Sequence, residues 1–514
     1  MSGSSRVFVR DATGLVKNVS FLDAVSLNLG NMSAGAALAS FGYAMTLLPS
    51  VQGVNLLYAN LIAFIISWPQ IVVYTMMTRR VPRTGGDYVW SSRILGGFWG
   101  GTLSVVRSPF TSLAFMALAV MSTIFAIGSV GLFFNSPGAL GLALPGYIPG
   151  ANVPFQIGLG VLLIIILIAI NIFKPKAGYT IVTFTSVVGV LGIIAAILVL
   201  LVGGRAGAVN YMNVLHAEGA KATYASVSSS YTGPEATLAG SLSFVPYFAI
   251  YIYPWLYAAP AVASEIKAKK AIWWNIPLSS IIVFILMTAA IWAMYYAGGF
   301  AFITGAFTNP GLVYNWSFNF WTLAMGVSNN AAVAWFLGVA YILWNIAIIA
   351  FLVIVMSRYF FAQAFDRYFP AKLAEVSKYG TPAVAFMLEG VIVVILVGLA
   401  ASVYGSFTAL YGTGIASWIY FIALGAAAAI FAVRREKGRS KAILVTAGIL
   451  MALVYVYLAY WFIAYRAIWG GNALAYGYDL SGFIIGAASY TLCKWYYRKR
   501  GIDITLAFKE IPPE

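Results

Sequence analysis

Two apolar segments of the chain are interrupted where a membrane helix would normally be continuous. The first interruption lies in a run of small and polar residues: Gly30, Asn31, Met32, Ser33, Ala34 and Gly35. The second surrounds a proline among aromatic residues: Tyr251, Tyr253, Pro254, Trp255, Tyr257 and Ala258. Lipid cannot satisfy the bare peptide groups of an unwound turn, so such a turn must face a cavity or a ligand. We take these positions as the candidate substrate-binding residues.

Two interruptions that face each other could bind a small molecule that carries both a negative and a positive charge. Peptide N–H groups at the start of a half-helix bear partial positive charge and can bind a carboxylate. Carbonyl groups at the end of the preceding half-helix can accept hydrogen bonds from an ammonium group. Gly30 and Gly35 would let the backbone approach such a ligand closely. The alternative is that these small residues only permit tight packing between helices.

The aromatic residues around Pro254 indicate the character of the ligand. If their rings face the site, they predict an apolar or aromatic ligand, or a cation held over a ring face. Packing within the helix bundle is the alternative for any one ring, and Tyr253 and Trp255 are the two that we expect at the site.

Two ionisable side chains, Arg107 and Glu389, fall within predicted membrane spans at similar depths. Such groups are costly in a membrane and usually functional. We predict that they pair or share an inner vestibule. Glu389 is then a candidate proton site, because burial favours the protonated form of a carboxyl group. A static structural pair near the inner interface is the alternative.

The elements that position these residues are predicted to be membrane helices. Mean hydropathy is +0.89, 62% of the 514 residues are hydrophobic and only 9% are charged. About 20 apolar residues span the hydrocarbon core as a helix. Twelve segments meet this length, near 24–48, 54–77, 97–126, 154–173, 178–203, 242–263, 276–297, 331–357, 382–404, 407–433, 442–465 and 474–494.

Most of the 30 basic residues fall in alternate gaps between these spans, and only Arg205, Lys221 and Arg466 fall in the other gaps. Because basic residues are retained on the cytoplasmic side, this pattern predicts a multi-pass protein of the cell membrane with both termini inside. The net charge of +16 is spread over many short segments. It therefore indicates orientation and contact with anionic lipid rather than nucleic-acid binding.

Other classes of function find little support in the composition. Cys493 is the only cysteine and His216 the only histidine, so we expect no internal disulfide, no metal site and no cofactor. An integral membrane enzyme would need such groups, and we predict that the protein is not an enzyme. No repeated pore motif indicates a channel. Asn315 begins an Asn-Trp-Ser tripeptide that could accept a glycan.

Three inner segments carry motifs of a known family. The first contains Pro82, Gly85-Gly86, Asp87, Tyr88 and Arg93; the second contains Ala263-Ser264-Glu265-Ile266-Lys267 and then Pro277; the third contains Ser357-Arg358, Asp366, Pro370 and Gly380-Thr381-Pro382. Together, and in this order, they resemble the loops after helices 2, 6 and 8 of the amino acid–polyamine–organocation (APC) superfamily of permeases. The resemblance covers roughly residues 20–435.

The resemblance implies an all-α membrane protein with the leucine-transporter type of fold, in which five helices are followed by five inverted ones. The repeats would span about 22–203 and 242–433 within a transporter core of 22–433. Two peripheral helices (434–495) would follow, with cytoplasmic segments at 1–21 and 496–514.

The function implied by the resemblance is secondary transport of amino acids or related amines by alternating access. A polyamine or organic-cation carrier, an exchanger and a transporter-like sensor are the alternatives. Related sodium-driven transporters bind the ion with hydroxyl groups of helix 8, but here the middle of that helix offers only the amide of Asn345. Asn345 joins Arg107 and Glu389 as a coupling candidate, and the choice between proton symport, exchange and uniport is left open.

Overall fold

A computed structural model describes residues 15, 17–136, 138–143, 150–217, 222–314, 317–403 and 405–511. Asn315, the predicted glycan acceptor, lies outside these residues. In the described ranges the chain is helical, and its β-structure is limited to two isolated bridges. The α-helices are α1 (Phe21–Asn31), α2 (Ala34–Thr46), α3 (Leu56–Arg80), α4 (Asp87–Ile94), α5 (Gly97–Val105), α6 (Ser112–Phe133), α7 (Val153–Phe173), α8 (Pro175–Ala217), α9 (Tyr224–Ser229), α10 (Leu238–Tyr251), α11 (Ala258–Ala261), α12 (Lys269–Gly298), α13 (Phe300–Phe307), α14 (Pro310–Val313), α15 (Phe320–Val327), α16 (Ala331–Phe365), α17 (Ala383–Ser402), α18 (Ser406–Gly412), α19 (Gly414–Arg435), α20 (Gly438–Ala464) and α21 (Ala473–Lys499).

Within the described ranges, nine helical segments are long and apolar enough to cross a membrane. They are Leu56–Arg80, Gly97–Phe133, Val153–Phe173, Pro175–Leu215, Lys269–Gly298, Ala331–Phe365, Ala383–Ser402, Phe407–Arg435 and Gly438–Ala464. The other three predicted spans differ from these for physical reasons. Two are divided by an interruption, which leaves each half short, and the third, α21, contains Asp479 and several glycines and tyrosines.

The first interruption separates α1 from α2. Helix α1 ends at Asn31, Met32 and Ser33 form a turn, and α2 begins at Ala34. Ser33 has a φ of 48°, in the left-handed region, and its side chain does not cap α2. This conformation redirects the chain and leaves the first peptide groups of α2 without the usual capping partner.

The second interruption separates α10 from the short helix α11. Helix α10 ends at Tyr251, and the chain is not helical again until Ala258. Pro254 lies within this stretch, where its missing N–H and its ring oppose a continuous helix. Asn28 of α1 links the two interruptions, because its side-chain oxygen accepts from Ala259 N at 3.1 Å while its amide donates to Asn275 at 2.8 Å.

The Gly-Gly pair of the first inner motif packs directly against this second interruption. Gly85 N donates to Ala261 O at 2.9 Å. Gly86 has a φ of 43°, and a Cβ atom placed on it would lie 2.8 Å from the carbonyl carbon of Pro260. Only glycine fits both the backbone angle and the close approach. The motif therefore fixes the 82–87 loop beneath α11.

The segment between α5 and α6 is a π-helical turn, Val106–Thr111, which contains Pro109. A proline cannot donate to the preceding turn, and π-turns are frequent where a helix accommodates such a defect. This turn carries Arg107, which is fully buried, so the irregular backbone sets the direction of its side chain.

Candidate functional site

A small cavity lies between the two interruptions. Its described lining residues are all uncharged. They come from α1, the turn after it, α2, α6, α10, α16 and the stretch between α10 and α11: Asn31, Ser33, Ala36, Phe115, Leu118, Ala119, Ser122, Ile250, Tyr251, Trp255, Tyr257, Ile348, Phe351 and Leu352. The lining is mostly apolar, with a few polar groups concentrated at the breaks.

Five of the candidate substrate-binding residues line this cavity: Asn31, Ser33, Tyr251, Trp255 and Tyr257. The others are buried beside it. A Cβ on Gly30 would approach Ala347 and Phe351, and a Cβ on Gly35 would overlap the ring of Trp344 at 2.5 Å. These two glycines therefore allow close packing against α16, which is the alternative that we gave for the small residues of the first interruption. Met32, Ala34, Pro254 and Ala258 hold the backbone of the breaks but do not line the cavity.

Tyr253 was expected at the site, and the structure corrects this expectation. Its hydroxyl donates to Asn60 at 2.6 Å and its ring packs on Phe64 of α3. Residues 252–254 form turns and residues 255–257 have no regular structure, so no helical period relates neighbouring side chains there. Trp255 faces the cavity, whereas Tyr253 faces a separate small cavity between α3, α10 and α20.

Several polar groups at the breaks have no partner among the described residues. Asn31 is buried, and its side-chain nitrogen makes no hydrogen bond. The backbone N–H groups of Ala34, Gly35 and Ala36, the first turn of α2, also lack an acceptor. Buried donors are normally satisfied, because leaving one unpaired costs about 1–3 kcal/mol. Unpaired donors beside a cavity therefore indicate a place for a ligand with acceptor atoms.

Trp255 is held at the cavity wall by several contacts. Its indole N–H donates to Ile250 O, and its ring meets Phe115 edge-on with centroids 5.0 Å apart. Trp418 and Phe421 pack behind it, at 5.8 and 6.3 Å. Since only 5% of Trp255 is exposed, these contacts fix one flat apolar face for a ligand.

A layer of aromatic side chains closes the cavity toward the C-terminal end of α2, and we call Tyr43, Tyr251, Phe407 and Tyr411 the outer aromatic layer. The hydroxyls of Tyr251 and Tyr411 share a hydrogen bond. Tyr43 stacks on Tyr411 and meets Phe407 edge-on. Beyond this layer lies a second small cavity that also reaches Trp469. The phenol–phenol bond therefore lies at the boundary between the two cavities, because Tyr251 lines both of them.

The opposite end of the cavity is closed by charged groups. The guanidinium carbon of Arg107 lies 3.5 Å from the ring centroid of Tyr257. Arg107 and Asp87 are both fully buried and form an ion pair of 3.5 Å. Asp87 also accepts hydrogen bonds from Tyr74 and Tyr359. This arrangement places a buried charge pair directly behind a cavity ring.

The predicted pairing of Arg107 with Glu389 is wrong. Arg107 pairs with Asp87, because the inner loop folds back into the bundle and brings Asp87 to the same depth. Both carboxylate oxygens of Glu389 are buried without a hydrogen-bond partner, and the charge that acts on it is Arg358. Arg358 itself is bound by both oxygens of Glu265, at 3.0 and 3.1 Å.

Asn345, the third coupling candidate, does not line the cavity. Its amide nitrogen donates to Tyr341 O at 3.0 Å within α16, while its side-chain oxygen is buried without a partner. No described hydrogen bond or ion pair joins Asn345 to Glu389 or Arg107, so the structure does not pair the three coupling candidates.

The sequence analysis does not predict two buried acidic residues. The span pattern assigns Asp87 to an inner loop, and nothing in its local sequence shows that the loop enters the bundle. Asp479 lies inside the twelfth predicted span, so its position alone marked it as an in-membrane carboxylate. It is 5% exposed, and the backbone of Ala416 at the start of α19 lies beside its carboxyl group. The cavity residues of α6 and α16, such as Phe115 and Phe351, carried no signal, because apolar residues are ordinary in membrane helices.

Comparison with known proteins agrees with this geometry. The family model described as "Amino acid permease" matches residues 19–485. A shorter stretch of 81 residues is 31% identical to "Uncharacterized protein 399" of Sulfolobus islandicus rod-shaped virus 1. That match covers 16% of this chain and 20% of the viral protein, so the chain spans about a fifth of that relative and its printed name assigns no activity.

The family match extends over most of the chain and includes both interruptions, the Gly-Gly loop and the buried ion pairs. Such permeases are membrane transporters of small molecules and not enzymes. With its apolar helices and its central cavity, this chain is a multi-pass membrane protein that belongs to the amino acid permease family of the APC superfamily.

Proposed function

We propose that this protein is a secondary transporter that moves an amino acid across the cell membrane by alternating access, with the substrate bound in the cavity between the two interruptions. In this proposal the chain crosses the membrane twelve times. Ten of the crossings form two inverted repeats of five, and both termini lie in the cytoplasm. The unpaired donors beside the cavity are the observation that carries the proposal.

The carboxylate of the substrate would bind at the start of α2. The N–H groups of Ala34, Gly35 and Ala36 point along the helix axis away from the rest of α2, where the helix dipole adds partial positive charge. The side-chain nitrogen of Asn31 is a fourth donor close to the same break. A carboxylate is the ligand group that would satisfy several donors at once.

The ammonium group would bind at the end of α10. The carbonyls of Ala249 and Tyr251 accept no backbone hydrogen bond among the described residues. They form the C-terminal end of the half-helix, which carries partial negative charge. With the carboxylate held at α2, the ammonium group of an α-amino acid would face these carbonyls across the cavity.

The substrate side chain would then lie among the rings of Phe115, Trp255 and Phe351. These residues line the cavity, and apolar contact with rings favours an uncharged side chain. A polyamine carrier would need carboxylates near the ligand, and no charged residue is among the described lining residues. The geometry therefore favours an amino acid over a polyamine.

Alternating access requires that the two ends of the cavity open in turn. Among the described residues, a phenol–phenol hydrogen bond between Tyr251 and Tyr411 joins the outer aromatic layer. The opposite end is held by the Arg107–Asp87 pair, the hydroxyls of Tyr74 and Tyr359, and the Gly85 contact with α11. Because breaking buried ion pairs costs more than parting two phenols, we expect the outer aromatic layer to open more readily.

Proton coupling is part of this proposal, with Glu389 as the proton site. Its carboxyl group is buried and both oxygens lack a hydrogen-bond partner, so a proton would remove a costly uncompensated charge. Exchange and uniport are the competing modes. Uptake driven by an imposed pH gradient should be lost in Glu389→Gln while counterflow continues, since counterflow needs no net proton movement. Gradient-driven uptake that survives this substitution would exclude Glu389 as the proton site.

The proposal as a whole is tested by counterflow in proteoliposomes. Vesicles loaded with one unlabelled amino acid at a time are assayed for uptake of the same labelled compound. We expect signal for at least one amino acid with an apolar side chain. Asn31→Ala should reduce it, whereas Asn171→Ala should not, because the amide of Asn171 is buried but bonds within α7 at 2.9 Å. Absence of counterflow for the whole panel, with folded protein, would contradict transport of amino acids.

A further inference from the structure

The charge pair behind the cavity is asymmetric with respect to the ligand. Arg107 contacts Tyr257, which lines the cavity, at 3.5 Å from the ring centroid. Asp87 is bound instead by Tyr74 and Tyr359, and neither of these tyrosines lines the cavity. The positive member of the pair is therefore the one nearer to the ligand.

The two members of the pair also differ in how well they are satisfied. Asp87 accepts two tyrosine hydroxyl hydrogen bonds in addition to its ion pair. Arg107 donates a hydrogen bond to Ser108 at 3.1 Å and its Nη2 lies 3.5 Å from Asp87, whereas its Nε has no hydrogen-bond partner among the described residues. Rings of Tyr359 and Phe421 lie around it at 5.3 and 5.6 Å. Its positive charge is therefore only partly screened toward the cavity.

Nothing in the described cavity lining opposes this charge. All the described lining residues are uncharged, and both Arg107 and Tyr257 are buried. In such an environment a charge acts over a longer distance than it does in water. A ligand with a second ammonium group would meet repulsion from Arg107 that Asp87 only partly offsets, and the described lining offers no carboxylate to bind that group.

We propose that Arg107 is a specificity-determining residue that excludes cationic side chains, so that the substrate class is zwitterionic amino acids with uncharged side chains. This inference rests on the proposed function, and it assigns Arg107 a role through Tyr257 rather than in contact with the substrate. Asp87 moderates the exclusion because it partly neutralises Arg107.

Norleucine and lysine are the probes, since they share the α-amino acid group and the length of the side chain but differ in the terminal ammonium. Each competes against counterflow of the best apolar amino acid, and the ratio of their inhibition constants is the readout. The ammonium group is costly to bury in any apolar cavity, so the change in this ratio among variants, not its value in the wild type, measures the effect of Arg107.

Three variants should affect the ratio of inhibition constants in different ways. Arg107→Lys keeps the charge and should keep the ratio. Asp87→Asn leaves Arg107 uncompensated and should raise the preference for norleucine over lysine. The double variant Asp87→Asn/Arg107→Gln removes both charges without leaving either alone, and should lower that preference by about tenfold. Loss of structure alone would weaken both probes together and would not produce opposite changes.

An unchanged ratio in the double variant, with norleucine still transported, would overturn the inference and leave the proposed function intact. If the double variant does not fold, an unchanged ratio in Asp87→Asn would overturn it equally. If wild-type protein transports no zwitterionic amino acid at all, the proposed function fails first, and the two failures are thus distinguishable.

Discussion

Replacing Trp255 with alanine tests the aromatic wall of the cavity. The ring is 5% exposed and lines the cavity, with Phe115 meeting it edge-on at 5.0 Å. Its indole N–H also fixes the break by donating to Ile250 O. The substitution therefore removes both an apolar face that the substrate would contact and a hydrogen bond that shapes the second interruption.

The expected loss of affinity follows from the buried ring face. Burying a large apolar side chain contributes about 1.5–3 kcal/mol, and the substrate would cover only part of the Trp255 ring. Loss of about 2 kcal/mol corresponds to roughly 30-fold weaker binding. A buried Trp→Ala substitution also lowers the free energy of unfolding by about 3–5 kcal/mol, so affinity and stability must be measured separately.

Trp90→Ala is the matched control. Trp90 is also buried and donates to a backbone carbonyl, Val81 O at 3.1 Å, but it does not line the cavity. Substrate affinity is measured by equilibrium binding to purified protein, and stability by thermal unfolding. We expect both variants to lose stability and only Trp255→Ala to lose affinity. Unchanged affinity in folded Trp255→Ala would refute the assignment of the ring to the substrate site.

Further predictions concern the gates and the inner loops. Tyr411→Phe removes the phenol–phenol hydrogen bond of the outer aromatic layer, so we expect faster substrate release from the predicted outer side in a dilution assay, and an unchanged rate would contradict the role of this bond. Gly86→Ala should lower the melting temperature more than Gly138→Ala. Both glycines have positive φ, but only Gly86 would place a Cβ against backbone, whereas nothing lies within 4 Å at Gly138; equal losses would exclude the clash. Hydrogen bonds from Arg80, and with them one from Ser440, lower the pKa of Glu436 to about 2. The stability that this carboxylate contributes should be present above its ordinary pKa of about 4.3 and should be lost as the pH falls from there toward 2. The melting temperature of Glu436→Gln should therefore fall less steeply over this pH range than that of the wild type, and identical pH dependence of the two melting temperatures would contradict this assignment.

The interruptions themselves could be predicted from sequence, because their causes are local. Polar residues and glycines around Asn31, and Pro254 among apolar residues, disfavour a continuous helix wherever they occur in a membrane span. The direction of individual side chains could not be predicted there. In a stretch without regular structure no period relates neighbouring residues, which is why Trp255 faces the cavity and Tyr253 does not.

The ion-pair partner of Arg107 could not be predicted from the sequence for a different reason. Depth in a membrane is estimated by counting residues along a straight helix, and this count matched Arg107 with Glu389. Asp87 follows a turn formed by Gly85 and Gly86, which folds the loop back into the bundle. The path by which this loop folds back is determined by its tertiary packing against α11. Asp479, in contrast, could have been found by counting alone, since it lies within a predicted span.

A structure of the protein with a bound amino acid tests the central claim most directly. We expect the carboxylate within about 3 Å of the N–H groups of Ala34 to Ala36, and the side chain against Trp255 and Phe115. Density for the ligand elsewhere, such as in the cavity beside Trp469, or a bound state in which α1 and α2 join in one continuous helix, would contradict the account.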